Sequence, residues 1–151
     1  MADWKHLRDT LPGIVHKLEP GSQLTIFRDS PEVRFQFAVP PSGGVLWSEV
    51  CNETAEDEPS LREKGWVMVD EWSGVWRRTT ELPATLDEVQ EAVNEVLRVL
   101  VAHWQHRNVD GFGYLAWLDR PERAWWQFWK PKGEEQLKFP ELELPAGRLP
   151  A

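Results

Sequence analysis

The amino-acid sequence predicts an α+β fold: a two-layer sandwich in which an antiparallel sheet of about five strands is covered by an N-terminal helix and a long second helix. Three observations support this prediction. Apolar residues first recur at helical spacing, then alternate with polar residues along several short segments, and finally form a long helical stripe after Thr85. The connections between the alternating segments are short, which favours antiparallel pairing.

The first helix is predicted from apolar residues three or four positions apart: Trp4, Leu7, Leu11, Ile14 or Val15, and Leu18. Asp3 precedes them and is a suitable N-cap. Pro12 and Gly13 interrupt the pattern, so we expect a kink or a break there. The Pro-Gly-Ser sequence at 20–22 then ends the element.

Five segments of the middle region are predicted strands: 23–27, 33–39, 45–51, 66–72 and 75–80. The second shows the two-residue period clearly, because apolar residues alternate from Val33 to Val39. Residues 60–65 are expected to form one helical turn that ends at Gly65. Residues 111–119 are expected to be an extended segment or a short strand.

The long helix begins with a clear start signal. Thr85 and Glu88 form a capping box, in which each side chain satisfies the backbone amide of the other residue. The apolar stripe that follows is about six turns long and comprises Leu86, Val89, Val93, Val96, Leu97, Leu100, Val101 and Trp104. His103 and His106 lie near its end, where the helix dipole favours cations.

The chain divides into three parts in this interpretation. Residues 1–118 form the α/β domain. Residues 119–130 form an aromatic helix or strand packed on that domain, since Asp119-Arg-Pro-Glu122 has the composition of a helix start. Residues 131–151 contain several prolines and no regular period, so we expect an extended or mobile tail.

The composition indicates which kinds of binding partner and which cellular compartment to expect. Acidic residues outnumber basic ones 25 to 17, for a net charge of −8, which argues against binding of nucleic acid. No apolar run approaches the length of about 20 residues that spans a bilayer, so we expect no membrane insertion. The N-terminal region lacks the pattern of a signal peptide, and one cysteine cannot form an internal disulfide. These features predict a cytoplasmic protein.

The sequence predicts no catalytic, cofactor-binding or metal-binding residue. His103 and His106 share a helix face, but zinc requires at least one more protein ligand. Cys51 lies among acidic neighbours, which raise the pKa of a thiol. Asp70 and Glu71 are adjacent in a strand and point to opposite faces, so they are poorly placed as an acid–base pair. A non-enzymatic function is therefore expected.

Ten tryptophans are the outstanding feature of the composition. At helical spacing, Trp125, Phe128 and Trp129 share a face with Trp126 at its side, and three interpretations are open. The segment packs on its own sheet, or forms a dimer or partner interface, or lies on a membrane surface, which the acidic charge disfavours. Trp72 lies at the tip of a predicted hairpin and is a further surface candidate.

The order of elements resembles the small α/β fold of type III secretion chaperones and YbjN-like proteins, and within that group the TY-Chap domains of actinobacterial proteins. The resemblance covers about residues 3–118 and depends on the stretches 18–39, 61–66 and 89–104 with the following VDGFGYLAW. It implies an antiparallel sheet covered by helices and a protein that acts by binding other proteins, in many cases as a dimer. The family has no known catalytic residues to transfer.

These observations predict a non-enzymatic protein-binding domain, chaperone- or adaptor-like, with another protein as partner and a homodimer as a possible assembly. One alternative is an immunity- or antitoxin-type protein that blocks a basic partner through its acidic loop, with Glu56, Asp57 and Glu58 as contact residues. Another is a small-ligand binder with a Trp-lined pocket. No cofactor is expected.

Overall fold

The computed structural model describes residues 3–29, 32–52, 59–70, 74–119 and 134–147. Along the chain, the elements are α1 (Trp4–His16), β1 (Ser22–Asp29), β2 (Glu32–Ala38), β3 (Val45–Asn52), α2 (Pro59–Glu63), β4 (Val67–Asp70), β5 (Val75–Glu81), α3 (Leu86–Arg98), β6 (Gly113–Asp119) and β7 (Glu134–Leu137). A π-helical turn (Val99–His103) continues α3, and a short 3₁₀ turn (Pro140–Leu142) follows β7.

The strands form one antiparallel sheet in the order β4-β5-β3-β2-β1-β6-β7. This confirms an α+β fold built on an antiparallel sheet, but the sheet has seven strands and not about five. Residues 113–119 are a full strand that pairs with both β1 and β7. β7 lies in the proline-rich tail, where no alternating pattern marked it.

α1 begins at the expected residue and is not interrupted at Pro12 and Gly13. The Asp3 carboxylate accepts a hydrogen bond of 2.7 Å from the amide of His6, which confirms the N-cap. The helix then runs through Pro12 to His16 without a break, so the prediction of a break was wrong. Proline removes only one amide donor and its fixed φ fits a helix, while burial of its ring contributes to the core.

The capping box of α3 is confirmed. The amide of Glu88 donates to the Thr85 hydroxyl at 3.2 Å, and the amide of Thr85 donates to the Glu88 carboxylate at 3.1 Å. Two residues of the predicted apolar stripe lie at the surface: Leu86 is 49% exposed and Val101 is 36% exposed. Leu86 is the first helical residue, and Val101 lies in the π-helical turn, which changes the helical register.

α1 and α3 pack together on one face of the sheet, and α2 covers the β4–β5 end of that face with Leu61. Trp66 and Trp76 are both 1% exposed within this core. The indole N–H of Trp66 donates to Glu95 on α3 at 3.1 Å, which satisfies the buried donor. Burial would raise the pKa of Glu95, but hydrogen bonds from Arg98 and Trp66 outweigh it and hold that pKa below its usual value.

The described part of the tail belongs to the fold. After β7, the amide of Phe139 donates to the Tyr114 hydroxyl at 2.9 Å, and Leu142 is fully buried. The chain then returns beside β6, where Ala146 forms a parallel bridge with Tyr114. Gly113 permits this approach, since a Cβ there would lie 2.9 Å from the carbonyl oxygen of Pro145. Residues 134–147 thus complete one end of the sheet.

Candidate partner-binding face of the sheet

The sheet has two faces of different character. Side chains alternate along each strand, so the register places one set under the helices and the other set on the opposite side. Within the described ranges, no helix packs on that opposite side. We call it the open face, and it bears Gln23, Gln36, Trp47, Glu49, Arg77 and Trp117.

A row of polar side chains crosses the centre of the open face. The register pairs Thr25 with Gln36, Gln36 with Glu49, and Glu49 with Arg77 on four adjacent strands. The Gln36 amide donates to the Glu49 carboxylate at 2.6 Å and accepts at its own oxygen from Thr25 at 3.1 Å. Gln23 also donates to Gln36, at 2.8 Å. The side chains therefore hold one another in fixed orientations across β1, β2, β3 and β5.

The charged end of this row is largely shielded from water. Arg77 donates to the second carboxylate oxygen of Glu49 at 3.2 Å, and the Glu49 side chain is only 9% exposed. The Arg77 guanidinium also lies 4.0 Å from the ring centroid of Trp47, in a cation–π contact. A buried carboxylate is stable only when it is paired and hydrogen-bonded, and both Gln36 and Arg77 meet that requirement here.

Apolar side chains flank the polar row on the open face. Trp47 and Trp117 lie in one line across the sheet, separated by Ala38 and Gln23 on the two strands between them. Both tryptophans are half-buried. At the β4 edge of the same face, Val67, which lies opposite Arg77, is 62% exposed. Val69 lies where the register of β4 shifts and is 45% exposed. The open face thus combines a rigid polar centre with accessible aromatic and aliphatic groups.

Cys51 lies on the open face beside Arg34, its neighbour across the β2–β3 pair. Burial raises the pKa of the Cys51 thiol, and the nearby carboxylates of Glu32 and Glu49 add to this, against the opposing effect of Arg34. The direction agrees with the effect predicted from the acidic neighbours. A thiol with a raised pKa is a poor nucleophile at neutral pH.

His106 differs from the sequence-based interpretation. It lies beyond the π-helical turn, and its Nδ1 is 3.0 Å from the Arg28 guanidinium, so Nδ1 accepts the hydrogen bond. Burial lowers the pKa of His106, and the positive charge of Arg28 lowers it further. The interpretation of His106 as a cation at a helix C-terminus was therefore wrong for this residue, because it faces an arginine and not free carbonyl groups.

The described residues bring together no group of three or more His, Cys, Asp or Glu side chains that could hold a metal ion. His103 and His106 lie at the end of the π-helical turn and beyond it, and Cys51 is on β3. The arrangement can bind and orient another molecule through hydrogen bonds, a charge pair and aromatic surface.

The residues that the sequence singled out as partner contacts lie outside the described ranges: Trp72, Trp125, Trp126, Phe128, Trp129, Glu56, Asp57 and Glu58. The structure therefore does not test them. The open face was not predicted from the sequence. Its residues are the ones that alternate with the buried residues along each predicted strand. Alternation identified the two faces, but only the register shows that Gln36, Glu49 and Arg77 are neighbours.

No protein-family model, curated protein or solved structure matches the chain. Among the helices of the described residues, none is long and apolar enough to cross a membrane.

Proposed function

We propose that this protein is a non-enzymatic protein-binding domain, chaperone- or adaptor-like, which contacts its partner through the open face. The observation that carries the proposal is a sheet face without helical cover among the described elements, with Trp47 stacked on Arg77 and Arg77 paired to Glu49. Tryptophan and arginine are the residues most enriched among those that dominate binding energy at protein interfaces.

The polar row makes this surface suitable for binding without a large loss of entropy. Gln23, Gln36 and Glu49 already hold one another in place before a partner arrives. A partner that covers them displaces water without having to order flexible side chains, which reduces the cost of association. Since the central charges are paired, the partner need not supply a buried counter-charge.

The edge of the open face supports a protein as the partner. Among the described strands, β4 is the outermost and pairs only with β5, so no described strand pairs with the other side of its backbone. Val67 and Val69 lie exposed on this strand. An extended segment of another protein can pair with such an edge as an additional strand and pack its side chains against the valines.

Several sequence-based expectations belong to the same proposal. Trp125, Trp126, Phe128 and Trp129 follow β6, which carries Trp117, and we propose them, with Trp72, as further contact residues. The resemblance to TY-Chap and YbjN-like proteins supports a role in binding proteins, and the composition supports a cytoplasmic location. A homodimer is one form that the assembly could take.

The proposal is tested with a Trp47→Ala/Trp117→Ala double variant. Leu86→Ala is the matched control, because Leu86 is exposed on α3, which covers the other face. Each purified protein is used to recover partners from the source cells, and the affinity for the recovered partner is measured by calorimetry. Light scattering of each protein alone tests self-association.

We expect wild type and Leu86→Ala to bind the partner equally and the double variant to bind at least about tenfold more weakly, a loss of 1.4 kcal/mol or more. The double variant should remain folded, with a melting temperature lower by only a few degrees, since loss of the Trp47 contact with Arg77 costs about 1 kcal/mol. Equal binding by a folded double variant, or recovery of no partner together with a strictly monomeric wild type, would contradict the proposal.

A further inference from the structure

The sheet is wider than its two main helices can cover. Seven strands span about 29 Å at the usual spacing, whereas two packed helices cover about 20 Å. At the β4–β5 end, α2 fills the difference with Leu61. At the β6–β7 end, the 3₁₀ turn contributes one buried side chain, Leu142, and the face beside α1 is left as a groove.

This groove has a volume of about 370 Å³, within the range of small-ligand pockets. Its apolar side chains come from α1 and the residues that follow it, from β6 and β7, and from the segment after β7. They are Ile14, Leu18, Leu118, Leu137 and Phe139. Leu18, Leu137 and Phe139 are only partly buried against the core. An apolar molecule placed here would complete the burial of these three side chains.

A glycine in the middle of α1 opens the groove. Gly13 lines it, and a Cβ built at this position meets no atom of the described residues within 4 Å. Packing within the described chain therefore does not require glycine, although glycine in a helix interior costs about 0.5–1 kcal/mol relative to alanine. The missing side chain leaves room for a ligand directly above the apolar floor.

Among the described residues that line the groove, three are charged: Lys17, Glu19 and Glu141. No ion pair joins any of their side chains to another residue within the described ranges, unlike the paired charges of Glu49 or Glu95. Two carboxylates against one ammonium give the lining a net negative charge, and the chain as a whole carries −8. The groove therefore attracts a cationic group more strongly than an anionic one.

We propose that this groove is a binding site for a small amphiphilic amine, with its alkyl chain on the Ile14–Phe139 floor and its ammonium group between Glu19 and Glu141. The site is separate from the open face, since it lies on the helix-covered side of the sheet. Among the described residues that line it, none is tryptophan. The inference does not depend on the proposed protein-binding function.

The test uses three probes with the same chain: octylamine, octanol and octanoate. Calorimetry with the full-length protein at low ionic strength measures their affinities, and amide chemical shifts locate the site. We expect octylamine to bind at least about tenfold more tightly than octanoate, with octanol between them. The largest shift changes should occur at Gly13 and Leu137, and added salt should reduce the preference for the amine.

Two variants separate the floor from the head-group site. Gly13→Leu places a side chain in the groove and should weaken octylamine binding at least about tenfold, with Gly13→Ala as the conservative control. Glu141→Gln should reduce the preference for octylamine over octanoate while leaving octanol binding unchanged. The shift map of wild type provides the same information about position if Gly13→Leu fails to fold.

Three results would overturn the proposal. Octanoate that binds as tightly as octylamine would refute the assignment of a cationic head group. Shift changes that avoid Gly13 and Leu137, or octylamine binding that a folded Gly13→Leu variant leaves unchanged, would refute the location. Absence of binding by all three probes would refute the site altogether.

Discussion

The two faces of the sheet are made from alternate residues of the same strands, yet different forces stabilise them. On the helix-covered face, Leu24, Ile26 and Phe35 are fully buried and contact one another and the helices. On the open face, the neighbouring positions Thr25, Gln36 and Glu49 form hydrogen bonds across the strands. The covered face therefore gains stability from burial, and the open face from mutual satisfaction of polar groups.

This difference shows how one sheet can both support a fold and remain available for binding. A second apolar face would need permanent cover or would promote aggregation. A row of polar side chains flanked by tryptophans can remain exposed to solvent, and Trp47 and Trp117 still provide contact surface. Since β4 leaves its outer edge unpaired in the sheet, the binding region extends to the exposed valines there.

The largest expected effect compares one aromatic residue from each face. Phe35→Ala should lower the free energy of unfolding by about 3–5 kcal/mol, because it leaves a cavity among Trp4, Phe37 and Phe112. Trp47→Ala should cost about 1 kcal/mol, mainly the loss of its contact with Arg77. Urea unfolding followed by far-UV circular dichroism measures both. A Trp47→Ala cost as large as that of Phe35→Ala would show that the open face belongs to the core.

The next effect tests whether the polar row stabilises the open face. Glu49→Gln should lower the free energy of unfolding by about 1–3 kcal/mol, because Arg77 would lose its charged partner in a poorly hydrated site. Glu81→Gln is the control, since Glu81 is exposed on β5 and faces Val45 across the β3–β5 pair. We expect a change within about 0.5 kcal/mol for Glu81→Gln. Equal costs in chemical denaturation would mean that the row is only a surface feature.

Local rules in the sequence predicted much of the covered face. The Asp3 N-cap, the Thr85–Glu88 capping box and the positive-φ glycine at position 65 were all identified from short patterns. Alternation located the first three strands to within two residues at each end. These features depend on contacts between residues close in the chain, or on a period that a single strand displays.

The remaining features depend on contacts that a single segment does not reveal. β7 has the sequence EEQL, which is a strand only because β6 offers it an unpaired edge. The polar row requires the register of β1, β2, β3 and β5 together. Pro12 suggested a break that does not occur, because the helix is continuous there and the proline ring is buried. Tertiary pairing decided each of these outcomes.

A smaller effect is expected from pH at the end of the covered face, where His106 contacts Arg28, whose guanidinium lies over the Phe112 ring. The pKa of His106 is below its usual value in the folded state, so the unfolded chain takes up the proton first as pH falls. The free energy of unfolding should therefore decrease as pH falls through 6.5 toward the folded pKa, and stay constant with respect to this group above 6.5.

The His106→Gln variant isolates this contribution from that of the other histidines. The amide oxygen of glutamine can accept a hydrogen bond from Arg28, and the amide group does not titrate. Urea unfolding of both proteins above and below pH 6.5 gives the difference. Wild type should lose more stability than His106→Gln on acidification. A variant with the same pH dependence as wild type would show that His106 is not buried against Arg28 in solution.

The smallest expected effect concerns the groove at the edge of the covered face. Gly13→Ala should raise the free energy of unfolding by about 0.5–1 kcal/mol, because alanine has the higher helix propensity and its Cβ meets no atom of the described residues. Such a gain would mean that Gly13 lowers the stability of the folded protein. Packing within the described residues would then not require glycine at this position. A loss of stability in the thermal or urea midpoint would instead show that α1 needs glycine after Pro12 to keep its backbone hydrogen bonds. In that case the open groove beside Gly13 would be a consequence of helix geometry, and the amine-binding proposal would lose one of its supports.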